Sequence, residues 1–513
     1  MFAPVALTRS GPVFGTLLPA DESHSADVAR FRGIPFAQSI AGANRFRAPQ
    51  REHAWTEARD CNAWGDICPQ VASAMEKMLG SSKIAAGDDC LNLNVWTPAA
   101  DDAGRPVMVW MHGGAYVTGT GSTPWYDGQR FASNHDVVVV TLNYRLGALG
   151  YLDLTRLVPG AADAFTPNCG LLDQIAALEW TQECISAFGG DPSNVTVFGE
   201  SAGAMSVGAL LGAPRAAGLF HRAILQSGAA ANVSSPAKAD RTATSFLNAL
   251  DLAPTVESVS SLATLNIDAI IQASGAADSA ISGGGLGWQP TTATSSLPNN
   301  PLDVVAAGGR AGIDVLFGTN REEMRLFTAF DPSIASLDHD GIVARLSLSF
   351  DEARARTVAD GYATDAPDRG AAETWVEIAT DQVFRWPANQ LASALSAGSA
   401  NSLWAYEFTY QSPAFGGVLG ACHALEIPFV FDNLHQRGVE MFTGSNPERQ
   451  GIADILHHAW ASFARHGNPN MTASPKAPEW FAWTPTERPT FTIGVNAEMV
   501  NDPRGVALRR WPQ

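Results

Sequence analysis

The chain has 513 residues, 46% of them hydrophobic and 16% charged, a globular composition that excludes a disordered or fibrous protein. Its 33 Lys and Arg stand against 51 Asp and Glu, a net charge of −18. That balance favours solubility and repels nucleic acid and anionic membranes, so neither is expected as a partner.

The first ten residues, Met1 to Ser10, carry no basic stretch followed by a long apolar one, so no signal peptide is read there. No run approaches the roughly 18 apolar residues of a membrane helix. The expectation is a cytoplasmic protein that does not associate with membranes. The six cysteines, Cys61, Cys68, Cys90, Cys169, Cys184 and Cys422, form no C-x-x-C pair and default to free thiols. There is no internal repeat and no heptad pattern.

Apolar strands alternate with longer helical stretches, which predicts an α/β fold with a large, mostly parallel central sheet flanked by helices. The clearest strands are Val107 to Met111, Val137 to Leu142, Val195 to Phe198, Arg222 to Gln226, Asp314 to Phe317 and Leu403 to Phe408. Three excursions are too long for simple crossovers: residues 68–90, 229–300 and 333–380. They read as lid or pocket insertions in one catalytic domain spanning residues 1–513. Within the last, Asp340 to Tyr362 reads as helical.

Two strand ends carry chemistry. After Val107 to Met111 comes Trp110-Met-His-Gly-Gly-Ala-Tyr116. A His-Gly-Gly loop in that place offers backbone N–H groups to a developing oxyanion, and glycine lets the chain approach a substrate closely. After Val195 to Phe198 comes Gly199-Glu-Ser-Ala-Gly203, a G-x-S-x-G motif followed by the small residues of a helix start. Strand, sharp turn and helix make a nucleophile elbow. Ser201 is held up over the sheet, and the helix N-terminus favours negative charge beside it. A serine hydroxyl is a weak nucleophile and needs an adjacent base, oriented in turn by an acid.

The elbow resembles the active-serine segment of the type-B carboxylesterase family, which includes para-nitrobenzyl esterases and cholinesterases, on the α/β-hydrolase fold. Phe31-Arg-Gly-Ile-Pro-Phe36, Arg45-Phe-Arg-Ala-Pro49, Asp88-Asp-Cys-Leu-Asn-Leu-Asn-Val-Trp-Thr-Pro98, Gly170-Leu-Leu-Asp-Gln174 and Phe463-Ala-Arg-His-Gly-Asn-Pro-Asn470 extend the likeness along nearly the whole chain. The resemblance implies a serine esterase that needs no cofactor and no metal and acts on a small-molecule ester. Of the eleven histidines, His423 in Gly420-Ala-Cys-His-Ala-Leu-Glu-Ile-Pro-Phe429 resembles the family's catalytic base. The acid falls in Gly318-Thr-Asn-Arg-Glu-Glu-Met324. The family pattern there ends in Glu-Gly, which selects Glu323 over Glu322, with Met324 in place of the glycine. The order nucleophile, acid, base is the one this fold uses. The oxyanion donors implied are the N–H groups of Gly114, Ala115 and Ala202, with Gly113 beside them. His112 is read as shaping the loop, His221 as structural, and His457, His458 and His466 as ordinary residues of a C-terminal helix and its cap.

Glu200 has two readings: it tunes the histidine and meets a polar leaving group, or it only anchors the elbow. Ser227, in Leu225-Gln-Ser-Gly228, is implied as a support for Glu323. Cys68 and Cys90 bracket a stretch that resembles the family's N-terminal disulfide loop, although a reducing compartment disfavours the bond. In choline-specific relatives that loop carries a tryptophan for cation–π binding. Pro69 to Asp89 has no aromatic residue, and offers Met75, Met78, Leu79 and Ile84 instead. Small aryl or alkyl esters are therefore expected over choline esters. Trp125, Tyr126 and Trp288 are either pocket walls or core. Three other readings stay open: a carbamate or amide hydrolase, an acyltransferase on the same triad, and a non-catalytic adhesion protein.

Overall fold

Strands such as Arg105–Met111 and Val138–Leu142 are buried at every position. A parallel sheet covered on both faces requires this, because its side chains alternate between two dry layers. The computed structural model describes residues 3–20, 25–71, 84–281, 285–398, 401–470 and 477–512.

Eleven strands form one sheet. In chain order they are β1 (Thr16–Leu18), β2 (Val28–Pro35), β3 (Asn92–Thr97), β4 (Arg105–Met111), β5 (Val138–Leu142), β6 (Gly190–Glu200), β7 (Arg222–Gln226), β8 (Asp314–Asn320), β9 (Leu403–Phe408), β10 (Pro489–Ile493) and β11 (Ala497–Asn501). The spatial order is β11-β10-β9-β8-β7-β6-β4-β5-β3-β2-β1. The run from β10 to β5 is parallel, and the outer strands pair antiparallel. All six predicted strands are present. Several run longer than expected, notably β6, which begins at Gly190, and β8, which ends at Asn320.

Alternate residues of β4 serve the two layers. Val107, Val109 and Met111 join one core, while Met108 and Trp110 join the other. The first core takes helices α1 (Cys169–Cys184), α2 (Ala202–Gly212) and, further along the chain, α4 (Trp386–Gly398), which continues from α3 (Ala371–Thr380). The second takes α5 (Glu448–His466). Strand order runs outward in one direction from β6 and in the other from β4. The boundary between them is the topological switch point, where open α/β sheets bind ligands at the strands' carboxyl ends.

The quoted motifs meet in space. Asp173 of α1 forms a fully buried ion pair with Arg145, at 2.6 Å. The same guanidinium donates to the carbonyls of Arg45 and Arg47, which ties the Arg45 to Pro49 segment to α1. Asn94 in β3 accepts from the N–H of Gly33 at 3.0 Å, joining two further motifs.

The insertions differ from their sequence reading in detail. Residues 229–300 contain three helices, Pro236–Ala249, Val256–Ser261 and Ile267–Ile281. The stretch Asp340 to Tyr362, read as helical, falls in two helices, His339–Leu346 and Glu352–Asp365. Asp351 causes the break: its side chain accepts from the N–H of Arg354 and so starts a new helix. Of the proposed contacts in 68–90, Met75, Met78 and Leu79 lie outside the described residues, and Ile84 is half-buried. All six cysteines are buried and free. Cys68 and Cys90 form no disulfide; the Cys68 thiol donates to Pro69 O. Among the described residues no helix is long and apolar enough to cross a membrane.

Candidate active site

The elbow is built by close approach. A Cβ on Gly203 would lie 2.0 Å from the carbonyl oxygen of Met111, at the end of β4, so only glycine lets α2 pass there. Ser201 itself adopts φ 56°, ψ −126°, a conformation that L-residues avoid. It is held by its N–H donating to Gln226 O at 2.9 Å, and by the N–H of Met205 donating to its own carbonyl at 2.8 Å. The backbone is therefore pinned on both sides while the side chain points clear. Among the described residues the Ser201 hydroxyl makes no hydrogen bond.

The loop after β4 lies against the elbow. A Cβ on Gly113 would sit 2.8 Å from Glu200 Oε2 and 3.2 Å from Ser201 Cβ, so this glycine is the wall behind the serine. Ala115 and Tyr116 take positive φ, 55° and 63°, which turns the loop sharply. His112 shapes that loop, as expected. Its Nδ1–H donates to Gly113 O at 2.8 Å, its ring stacks on Tyr144 at 4.4 Å, and Tyr144 donates to its carbonyl. Burial pushes the His112 pKa down to about 4, so it stays neutral. The N–H groups of Gly114, Ala115 and Ala202 have no acceptor among the described residues. Ala202 opens α2, where backbone donors have no partner within the helix. Three unpaired donors beside a serine suit a developing oxyanion.

Glu323 and His423 come together from loops after β8 and β9. Glu323 is fully buried. Its Oε1 accepts from the N–H of Asn320 at 2.7 Å, and its Oε2 accepts from His423 Nδ1 at 2.7 Å. The His423 N–H donates back to the Glu323 carbonyl at 3.2 Å. On the other side of the ring, Nε2 lies 3.1 Å from Glu200 Oε1, yet that oxygen accepts no aligned hydrogen bond. Nε2 is therefore left for another partner at the elbow. Phe327 and Phe384 flank the imidazole, with ring centroids 5.3 and 4.8 Å away.

Charge follows geometry. Burial alone would lower the His423 pKa, but the carboxylates of Glu200 and Glu323 outweigh it and hold it above the usual value. Burial raises Glu200, offset in part by the positive imidazolium.

One reading is corrected, and one left open is decided. Ser227 takes φ 54° and its N–H donates to Gly318 O, but its buried hydroxyl has no hydrogen-bond partner among the described residues. The side chain does not support Glu323; the backbone of Asn320 does. Trp125 and Trp288 are core rather than pocket. Trp125 packs on Phe442, and Trp288 packs on Phe246 and donates to Ser274 O. Tyr126 packs against Trp110, the two rings tilted by 48°. His221 accepts from the N–H of Val195, and His457 donates to Val430 O, both structural roles.

The sequence reading missed a buried polar chain beneath His423. Glu426 is fully buried and accepts from Gln226 Nε2 at 3.0 Å and from Asn320 Nδ2 at 2.6 Å. Asn320 Nδ2 also donates to Cys422 O, and Trp460 donates to Gln226. Burial, and then Glu323, raise the Glu426 pKa. The signal was available: Glu426 sits three residues after His423, inside a segment that is otherwise apolar. Among the described residues no group of three or more His, Cys, Asp or Glu is arranged to hold a metal ion.

Comparison with known proteins gives this geometry a family. Residues 3–511 match the Carboxylesterase family. The para-nitrobenzyl esterase of Bacillus subtilis (strain 168) is 36% identical over 506 residues, covering 97% of this chain and 96% of that protein. The phenmedipham hydrolase of Pseudarthrobacter oxydans is 33% identical over 94% of each. The solved carboxylesterase of Geobacillus stearothermophilus superposes with a TM-score of 0.86 at 37% identity, over 99% of this chain and 100% of that one. The fold is the α/β-hydrolase fold. On these matches, the chain belongs to the carboxylesterase family of carboxylic ester hydrolases.

Proposed function

We propose that the chain hydrolyses small aryl and alkyl carboxylic esters through an acyl-serine intermediate. The observation that carries this is the Glu323–His423 hydrogen bond of 2.7 Å, set beside a strained serine elbow with three unpaired backbone donors. Ser201 Oγ attacks the ester carbonyl as His423 Nε2 takes its proton. Glu323 keeps the other imidazole proton on Nδ1 and stabilises the imidazolium. The N–H groups of Gly114, Ala115 and Ala202 hold the oxyanion, each worth roughly 3 kcal/mol. His423 then protonates the leaving alcohol, and water cleaves the acyl-enzyme by the reverse route. The chain acts as one catalytic domain, with the insertions as pocket walls. Its free buried thiols suit the cytoplasm.

Substrate preference follows from the walls. Phe327 is half exposed, at 51%, while its ring faces the imidazole, so an apolar group beside the ester meets an aromatic surface. The name of the Bacillus relative points the same way, to an ester bearing an aryl group. No aromatic residue occurs between Pro69 and Asp89 to face a quaternary ammonium. Initial rates on phenyl acetate and acetylcholine test the reading: kcat/KM should favour phenyl acetate by about a hundredfold. Acetylcholine turned over within tenfold would refute it.

Glu200 tunes the base. Its charge favours imidazolium, and imidazolium cannot accept the serine proton. The acid limb of the kcat/KM profile therefore lies at higher pH than that of a free imidazole. Glu200→Gln keeps the shape and removes the charge, so His423 loses its proton more readily. The acid limb should move to lower pH by about one unit or more. An unmoved limb would reduce Glu200 to an anchor of the elbow.

A further inference from the structure

Helices α3 and α4 are joined without a break by a π-helical turn, Asp381–Arg385, in which the N–H of Trp386 bonds to Asp381 O. In α-geometry the residue five places on is rotated by about 140°. A bond closing five residues apart returns it to the same face. Here that places Thr380, Phe384 and Arg385 together, and all three are buried. Each touches the catalytic loops. Thr380 Oγ1 accepts from the N–H of Met324 at 3.2 Å. Arg385 donates to Arg321 O at 2.9 Å. Those two bonds bracket Glu323 on either side along the chain. The ring of Phe384 lies against the His423 imidazole.

The turn is anchored on its far side too. Asp381 is fully buried, pairs with Arg385 and accepts from Tyr362 OH at 2.5 Å. Tyr362 OH accepts in turn from Trp511 Nε1 at 2.9 Å. A buried ion pair is weak evidence of stabilisation, because desolvation offsets its attraction. Pro387 has no N–H to donate to Val383 O, which gives the extra winding a local cause; what that cause does not dictate is the placement of Thr380 and Phe384 against Met324 and His423.

We propose that this turn is a positioning element for the reaction, and that Thr380 is the residue through which it fixes the backbone of the catalytic acid. Met324 stands where the resemblance places glycine, and its N–H takes the threonine hydroxyl as acceptor. That bond sets the turn from which the Glu323 carboxylate reaches Nδ1. Phe384 limits the tilt of the ring that receives it. The inference rests on the catalytic roles proposed above for Glu323 and His423.

Thr380→Val keeps the shape and removes the acceptor, whereas Thr380→Ser keeps it. Phenyl acetate kinetics and the downfield proton resonance of the His423–Glu323 hydrogen bond are the readouts. Thr380→Val should lower kcat about tenfold or more with KM unchanged, and should shift or broaden that resonance. Thr380→Ser should restore both. Phe384→Leu carries the same test should the valine variant not fold: kcat falls, KM holds and the resonance changes. Full kcat with an unmoved resonance in either folded variant would overturn the proposal, as would an equal loss in Thr380→Ser. Ser201→Ala in the same assay separates the two claims. If it retains activity, the catalytic roles themselves fail; if it is inactive while Thr380→Val is normal, only the positioning role fails.

Discussion

Ser201→Ala leaves the fold intact and lowers kcat for para-nitrophenyl acetate by about 10⁵-fold or more. The fold survives because the side chain contributes nothing to it: the hydroxyl makes no hydrogen bond among the described residues. The elbow is held by backbone bonds, from Ser201 N–H to Gln226 O and from Met205 N–H to Ser201 O, which alanine keeps. Alanine also meets the same positive-φ cost as serine, so the thermal midpoint stays close to that of the parent. The activity is lost because alanine supplies no hydroxyl to attack the ester carbonyl. Residual turnover comes only from those donors and from binding. Retention of more than about a thousandth of the parental kcat would contradict the assignment.

Glu323→Gln lowers kcat by about 10⁴-fold with little change in fold or KM. Hydrogen-bond parity causes the loss. Glu323 accepts twice, from the Asn320 N–H at Oε1 and from His423 Nδ1 at Oε2. Glutamine has a single acceptor. The Asn320 N–H is fixed in the backbone and can only donate, so it claims the amide oxygen. The amide NH₂ then faces Nδ1 and forces that nitrogen to accept. The proton moves to Nε2, the nitrogen that must take the serine proton. The imidazole is present and correctly placed, but in the wrong tautomer. A loss below about tenfold would mean that Glu323 does not set the tautomer.

Much of this site was legible because its constraints are local. A strained turn between a buried strand and a helix needs small residues on both sides of the serine, so G-x-S-x-G carries its geometry in its letters. The His-Gly-Gly loop is similar: Gly113 must lack a Cβ because Glu200 and Ser201 lie behind it. Parallel strands buried on both faces announce themselves as continuous apolar runs, as β4 and β5 do. His423 and Glu323 were reached through resemblance, since a lone histidine or glutamate has no periodicity to betray it.

What stayed hidden depends on distant chain segments. Gln226, Asn320, Glu426 and Trp460 form one polar chain drawn from two strand ends, a loop and a helix, and only tertiary structure makes them neighbours. Ser227 illustrates the converse error. It sits at a strand end beside β8, yet among the described residues its hydroxyl bonds nothing. The π-turn has one mark in the sequence, Pro387, which has no N–H to give Val383 O and so breaks the α-pattern inside Ala371 to Gly398. The break before Glu352 could have been seen, since Asp351 is a helix-start residue followed by a good helix former.

Acid quenching of a para-nitrophenyl acetate reaction in the pre-steady state, followed by peptide mass analysis, tests the account most directly. The prediction is a burst of one nitrophenolate per active chain, with one acetyl group on the peptide containing Ser201. Turnover with no acetylated peptide, or with the acetyl group on any other residue, would contradict it.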